Sequence, residues 1–254
     1  MMDFKRQLFF DGAMGTMLQQ GFSDIDTYRQ YIEAGADVLT SNTFGLFDDA
    51  QIQKAINNAK TAMGNDRKFI ALDIGPTGKL LEPFGDLTYD VCYDMYLRAS
   101  VAGAKAGADF ILVETMTGLD ELKAAVSAAK TTGLPIVATM TFDESGRTMM
   151  GASLRDMVLL LESIGVDATG MNCGFGPDLY EKLLPELAAL TDLPILVQPN
   201  AGLPTLVDGK PHYTMAPAEF AKAMARMSKY ANLLGGCCGT TPAFIEEMVT
   251  LCRG

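Results

Sequence analysis

The stretch Leu8-Phe9-Phe10-Asp11-Gly12-Ala13-Met14-Gly15-Thr16 decides the fold. A short apolar run ends in an acid and a glycine turn, as expected where a buried parallel strand hands the chain to its next element. An open, doubly wound sheet usually carries a phosphate-binding G-x-G-x-x-G after its first strand. Gly12 and Gly15 do not have that spacing. The competing α/β architecture, a (β/α)8 TIM barrel, is therefore preferred.

The same unit recurs down the chain. Strand signals follow at Ala36–Thr43, Lys68–Gly75, Ala108–Thr115, Pro135–Phe142, Asp167–Cys173, Pro194–Asn200 and Asn232–Cys238, after a first strand at Leu8–Gly12. Helical patterns separate them, clearest at Tyr89–Lys105, Leu119–Lys130, Leu154–Ile164, Leu179–Leu190, Pro217–Lys229 and Pro242–Cys252, and weaker at Asp24–Glu33 and Asp48–Met63. Leu119, Leu122, Val126 and Ala129 share one face at helical spacing. Ala34-Gly35-Ala36-Asp37 and Ala106-Gly107-Ala108-Asp109 each read as a glycine helix stop followed by entry into a buried strand. The chain has 254 residues, and eight units of about 32 residues approach the ~250 residues typical of such a barrel. A single domain over 1–254 is expected, with no linker or low-complexity break.

Composition excludes several classes. Hydrophobic residues make up 48% and the net charge is −11, which rules out a disordered chain and argues against a nucleic-acid or anionic-membrane surface. No apolar run approaches the roughly 18 residues of a membrane span. The strand signal begins almost at the N-terminus, so no signal peptide is expected and the cytoplasm is the expected location.

In a barrel the active site lies at the C-terminal ends of the strands. Those ends offer Asp11, Asn42, Asp73, Glu114, Thr141, Cys173, Asn200 and the pair Cys237-Cys238. Cysteine is normally a buried residue type, so three thiols on one rim need an explanation. Strands six and eight flank strand seven, and a metal above it could meet Cys173, Cys237 and Cys238 together. Soft thiolates select zinc, and three protein ligands leave a fourth position open for chemistry. Adjacent strand residues point to opposite faces, so both Cys237 and Cys238 can reach one ion only if the backbone turns sharply; Gly235, Gly236 and Gly239 permit that. Buried hydrophobic thiols or a closed structural zinc site are the alternatives, while a disulfide conflicts with a cytosolic chain. Cys92 and Cys252 lie in helical patterns, and His212, the one histidine, falls in the loop Asp208–His212. A His-based triad is thereby nearly excluded. Three thiolates overcompensate the zinc charge, which favours holding and activating a substrate thiolate over making hydroxide. Thiolate alkylation is the chemistry this donor set suits.

At this point the residues resemble a known family. Asp11–Thr16, Ser41-Asn42-Thr43-Phe44-Gly45, Ile74-Gly75-Pro76-Thr77-Gly78, Val113-Glu114-Thr115, Met171-Asn172-Cys173-Gly174, Gln198-Pro199-Asn200-Ala201-Gly202 and Gly235-Gly236-Cys237-Cys238-Gly239-Thr240-Thr241-Pro242 are similar to the homocysteine S-methyltransferases. Phe142–Thr148 and Pro199–Gly209 look closest to the cobalamin-dependent methionine synthase branch. The resemblance implies a zinc barrel that binds homocysteine as a thiolate and methylates it to methionine. Cys173, Cys237 and Cys238 match its zinc ligands, and Asn200 matches an amide that can fill the fourth position until substrate arrives. Glu114, with Asp11, matches the acids that receive the substrate ammonium, and the backbone N–H groups of Gly12 and Ala13 are candidates for its carboxylate. A helix-capping role for Glu114 and a structural role for Asp11 in the Gly12–Thr16 turn remain alternatives. Asn42 and Thr43 read as rim scaffolding.

The chain departs from the family over Met17–Tyr31 and Leu46–Lys68, which are trimmed. No folate or cobalamin domain is expected within these residues. The methyl donor is then a separate methylcorrinoid protein or methylcobalamin, with S-methylmethionine as the other option. Betaine is less favoured, because the chain has no Trp for an aromatic cage. Another small acceptor thiol, or a non-catalytic zinc-binding partner of a corrinoid protein, are the competing functions.

Overall fold

The computed structural model describes residues 2–207 and 209–254. Eight parallel strands form one sheet: β1 (Leu8–Phe9), β2 (Val38–Thr40), β3 (Phe69–Ile74), β4 (Phe110–Met116), β5 (Ile136–Met140), β6 (Ala168–Cys173), β7 (Ile195–Pro199) and, last in the chain, β10 (Leu233–Leu234). Their order is β1-β10-β7-β6-β5-β4-β3-β2. A parallel bridge from Phe10 to Val38 joins the two ends, and Asp37 N–H donates to Phe9 O at 2.7 Å across the same seam. The sheet is thus closed as the (β/α)8 barrel the sequence predicts.

Around it run α2 (Asp24–Glu33), α3 (Asp49–Met63), α4 (Tyr89–Ala106), α5 (Leu119–Lys130), α6 (Leu154–Ile164), α7 (Pro177–Leu190), α8 (Pro217–Met227) and α9 (Pro242–Arg253). Four of them, α2, α3, α4 and α6, start at a side chain that caps the first turn. The Ser153 hydroxyl and the Asp156 carboxylate form a reciprocal box at the start of α6. The two Ala-Gly-Ala-Asp segments behave as expected, with Gly35 at φ 95° and Gly107 at φ 89° turning the chain from helix towards strand.

The packing falls into two layers. Leu8, Phe10, Val38, Ala71, Phe110, Leu112, Val137, Ala168, Leu196 and Leu233 form one buried cluster with Phe4. They recur at period two along the strands, so they share the face that lines the barrel interior. The rings of Phe4 and Phe10 meet Phe110 edge-on at 5.3 and 6.0 Å. The alternate residues, such as Ile70, Leu72, Ile111, Val113, Met171 and Val197, belong to the larger cluster shared with the helices. Continue the interior period upward and it reaches Asp73, Glu114, Asn172 and Gln198. The barrel is therefore apolar at its floor and polar at its mouth.

Four elements differ from expectation. A one-and-a-half-turn helix α1 (Met14–Gln19) follows the first strand; it contains Gly15 and is too short to show periodicity. The segment read as a loop forms a hairpin, β8 (Thr205–Val207) with β9 (Lys210–His212), and Asp208 lies outside the described residues. The run Thr205-Leu206-Val207 before Asp208-Gly209 is a hairpin signal in the sequence. Helix α7 begins at Pro177, two residues before the expected Leu179, because proline suits the first helical turn. Among the described residues no helix is long and apolar enough to cross a membrane.

Candidate active site

Asp11, Gly12, Ala13, Glu114, Cys173, Cys237 and Cys238 line one cavity of about 490 Å³ at the C-terminal mouth, with Asp73, Gln198 and Tyr213. Asn200 is not one of its lining residues. The sulfurs of Cys173, Cys237 and Cys238 lie within 4.8 Å of one another. All five cysteines are free thiols, and Cys92 and Cys252 stand outside this group.

The backbone explains how two adjacent cysteines serve one point. Strand β10 stops at Leu234, and Cys237 and Cys238 sit in the turn beyond it, where Thr240 N–H donates to Cys237 O at 3.1 Å. Strand alternation no longer applies to them. Cys237 N–H donates to Pro199 O and Cys238 O accepts from Ala201 N–H, both at 2.9 Å, so the turn is stitched to the end of β7. Of the three glycines expected to permit the turn, Gly239 does so through its φ of 82°. Gly235 and Gly236 serve packing instead: a Cβ on them would stand 2.7 Å from Phe10 Cβ and 2.4 Å from Thr240 Oγ1. Cys173 is held at φ 62° at the end of β6, a conformation uncommon outside glycine.

The thiols share their protons. Hydrogen bonds from Cys173 and Cys237 pull Cys238 down to about 3 against the effect of burial, with Tyr213 adding a further bond. Its hydrogen bond with Cys237 lowers Cys173, yet the bond to Cys238, burial and the Cys238 charge together push it up to about 11. Cys237 is held well above the usual thiol range by donating to Cys173 and Cys238. Left to itself the cluster holds one negative charge and resists a second, and a bound dication is what would let all three ionise. The donor set thus fits a soft divalent metal.

Buried acids line the same cavity. Burial pushes Asp11 up to about 7 against the hydrogen bonding at Thr40, whose N–H donates to Asp11 Oδ2 at 2.8 Å. Glu114 is raised to about 7, first by burial and then by the Cys238 and Asp11 charges, while a bond with Asp73 works against it. Asp73 lies well above the carboxylate range through burial and the neighbouring Glu114 and Asp11. Glu114 does not cap a helix: α5 starts at Leu119 with Gly118 as its cap. The Asp11 side chain bonds to β2 rather than to the Gly12–Thr16 turn. Burying several acids together is expensive without a cation, so this wall is suited to an ammonium group.

Other expected residues have quieter surroundings. Asn42 donates to Asp24 and Thr43 Oγ1 to Asp73 O, which is scaffolding of the rim. Ala13 N–H donates to Thr240 Oγ1 at 3.2 Å. Asn200 Nδ2 donates to Gly174 O at 3.0 Å, while its buried Oδ1 has no donor among the described residues. Sequence reasoning gave no part to Thr240 or Tyr213. Thr240 Oγ1 holds both Ala13 N–H and Cys237 O, and its place two residues after the Cys pair was the available signal. Tyr213 follows the β8–β9 hairpin, and nothing in its local sequence marks it.

Comparison with known proteins fits this geometry. Residues 8–252 match the profile of the family described as homocysteine S-methyltransferase. The chain belongs to this family. It is 33% identical to the methionine synthase of Mycobacterium tuberculosis and 30% to that of Mycobacterium leprae, in each case over 96% of the chain. The chain spans 24% of the length of those relatives. Among solved structures it is similar to the apo form of the Escherichia coli homocysteine methyltransferase MmuM, with a TM-score of 0.78 at 25% identity, covering 96% of this chain and 95% of that one. The metallated form of MmuM, at 24% identity and a TM-score of 0.79 over 98% and 96% of the two chains, shares the fold.

Proposed function

We propose that this family member is a zinc-dependent S-methyltransferase that converts homocysteine to methionine, its residues 1–254 acting as one barrel domain. The observation that carries the reading is a single cavity lined by both a thiol cluster and buried acids. Homocysteine has matching ends. Zinc, when bound by Cys173, Cys237 and Cys238, would supply the positive charge that keeps the acceptor thiol ionised at neutral pH, where a free thiol of pKa about 8.5 is mostly protonated. Asn200, with its amide nitrogen anchored on Gly174 O and its Oδ1 unpartnered, is the candidate for the fourth position before substrate enters.

The protein's own groups then orient the acceptor. Glu114 and Asp11 receive the ammonium, and Asp73 adds a third acid beside them. The Gly12–Ala13 turn offers its amides to the carboxylate, Ala13 exchanging its bond to Thr240 Oγ1 for the new one. Gly12 has no room for a side chain, since a Cβ there would lie 2.7 Å from Thr240 Oγ1 and 2.9 Å from the Tyr31 hydroxyl. Held at both ends, the acceptor sulfur faces the open mouth. There its lone pair forms the S–CH3 bond as the bond from methyl to donor breaks.

A methylcorrinoid, on a separate protein or as methylcobalamin, is the donor this reading favours, supported by the likeness to methionine synthases. S-Methylmethionine is the second candidate, supported by the likeness to a stand-alone homocysteine methyltransferase. Three free thiols at the site require a reducing compartment, which favours the cytoplasm.

The deciding experiment supplies reduced protein, with and without zinc, with homocysteine and either methylcobalamin or S-methylmethionine, and measures methionine together with metal per chain. Zinc-dependent methionine formation with either donor supports the proposal and names the donor. No methionine with either would leave a zinc-binding partner role in its place, and equal rates without metal would remove zinc from the reaction.

A further inference from the structure

Asn172 carries no reactive chemistry, yet every hydrogen-bonding position of its fully buried side chain is used. Its Oδ1 accepts from Thr115 N–H at 2.8 Å and from Thr139 Oγ1 at 2.7 Å. Its Nδ2 donates to Glu114 Oε2 at 2.9 Å and to Thr115 Oγ1 at 2.7 Å. Turning the amide over would set its oxygen against the Glu114 carboxylate and its NH2 against the Thr115 N–H, so one orientation is enforced.

The residues it grips are the irregular ones. The register of β4 on β5 shifts between Val113 and Met116, and Thr115 sits at φ 60°. A β-branched residue in that conformation is a rare and strained arrangement that its surroundings must hold. Such irregularities in strands re-aim side chains next to active sites. Here the shift falls at Glu114 and Thr115, so the group that holds Thr115 also holds the backbone that carries Glu114. On its own strand Asn172 directly precedes Cys173, and Thr141 Oγ1 donates to its carbonyl at 2.9 Å. One amide therefore ties the acid wall to the strand that delivers a thiol.

We propose that Asn172 is a positioning residue for the amino end of the acceptor. By clamping Glu114 and Thr115 from the position next to Cys173, it fixes the carboxylate relative to the thiol cluster and so selects acceptors whose ammonium and sulfur are correctly spaced. The inference rests on the proposed reading in which Glu114 receives an ammonium.

The test compares the zinc-loaded protein with its Asn172→Asp variant by titration calorimetry, using L-homocysteine and 4-mercaptobutanoate, the same thiol chain without the amino group. The substitution keeps the size and the oxygen facing Thr115 and Thr139, and replaces the donor to Glu114 with an acceptor. Homocysteine affinity should fall about 10- to 100-fold, the range for losing a hydrogen bond to a charged group. Affinity for 4-mercaptobutanoate should stay within about twofold, with zinc per chain unchanged. Equal weakening of both thiols, or no change in either, would overturn the assignment. A wild-type protein with no preference for homocysteine over 4-mercaptobutanoate would instead remove the ammonium role of Glu114, and the inference with it. Should Asn172→Asp not fold, Thr139→Val removes one bond to the Asn172 oxygen and should give a smaller loss confined to homocysteine; a loss shared by both thiols would again be fatal.

Discussion

The floor and the mouth of the barrel are built from the same strands and obey opposite rules. At the floor, Leu8, Phe10, Val38, Phe110, Leu112 and Leu196 fill the interior with side chains that need no partner. Towards the C-terminal ends of the barrel strands, Asp11 Oδ1, Asp73 Oδ1, Gln198 Oε1 and Asn200 Oδ1 are buried without a hydrogen-bond donor among the described residues. Thr115 and Cys173, the non-glycine residues with positive φ among the described residues, also stand at the mouth. Unsatisfied groups and strained backbone both cost stability. Hydroxyls of Thr27, Ser100 and Thr169 are unpartnered elsewhere, but the unpartnered carboxylate and amide oxygens and the strained backbone meet at the mouth, where stability supplied by the floor is expended on a binding surface.

That contrast is sharpest if damage to each end registers in a different measurement. The largest effect is expected at the floor. Phe110→Ala removes a ring that meets both Phe4 and Phe10, and it should cost about 3–5 kcal/mol of unfolding free energy, read from denaturant titration. Folded protein that remains should still bind metal through its thiols. Next comes Cys238→Ala at the mouth. The variant should stay folded with a modest loss of stability in metal-free protein at neutral pH, because hydrogen bonds from Cys173 and Cys237 hold Cys238 at about 3 against burial and the substitution removes them. Methionine formation should drop by at least about 100-fold, through loss of both thiolate fraction and positioning. If instead the floor variant loses zinc stoichiometry while staying folded, or the cysteine variant unfolds, the division of labour between the two ends is wrong.

The floor was the more legible end in the sequence. Leu119–Lys130 and Leu154–Ile164 are helices between those very residues, because amphipathic spacing and flanking caps act locally. Strand centres were legible for the same reason, but β1 and β10 each retain two residues of the seven or fewer their apolar runs suggested, since ladder pairing ends where the mouth begins. The thiols were visible as strand-end residues from one linear pattern, and the structure gathers them. What the sequence could not show was the wiring between distant segments. Asn172 was quoted only as the neighbour of Cys173, although its amide reaches 58 positions back to Glu114. Tyr213 meets Cys238 from a hairpin read as a loop. Such links depend on tertiary placement, which local propensity does not encode.

A subtler way to sharpen the contrast uses pH, since the floor carries no titratable group among its clustered residues. Glu114 has an ordinary carboxyl value of 4.5 and is raised to about 7 in the folded protein, chiefly by burial. Between those values the folded state keeps a proton that the unfolded state has released. Stability should then fall as pH rises from about 4.5 to 7 and level off above it. In metal-free, reduced protein, Glu114→Gln should leave stability near wild type at pH 4 and exceed it by about 1–3 kcal/mol at pH 8, measured by urea unfolding at several pH values. The pH slope should shrink without vanishing, because Asp11, also raised to about 7 by burial, remains. Homocysteine affinity should move the other way and weaken, since the neutral amide cannot answer the ammonium. A variant that is no more stable than wild type at pH 8 would mean that Glu114 is already neutralised within the protein, and the acid wall would then hold no charge for a substrate to meet.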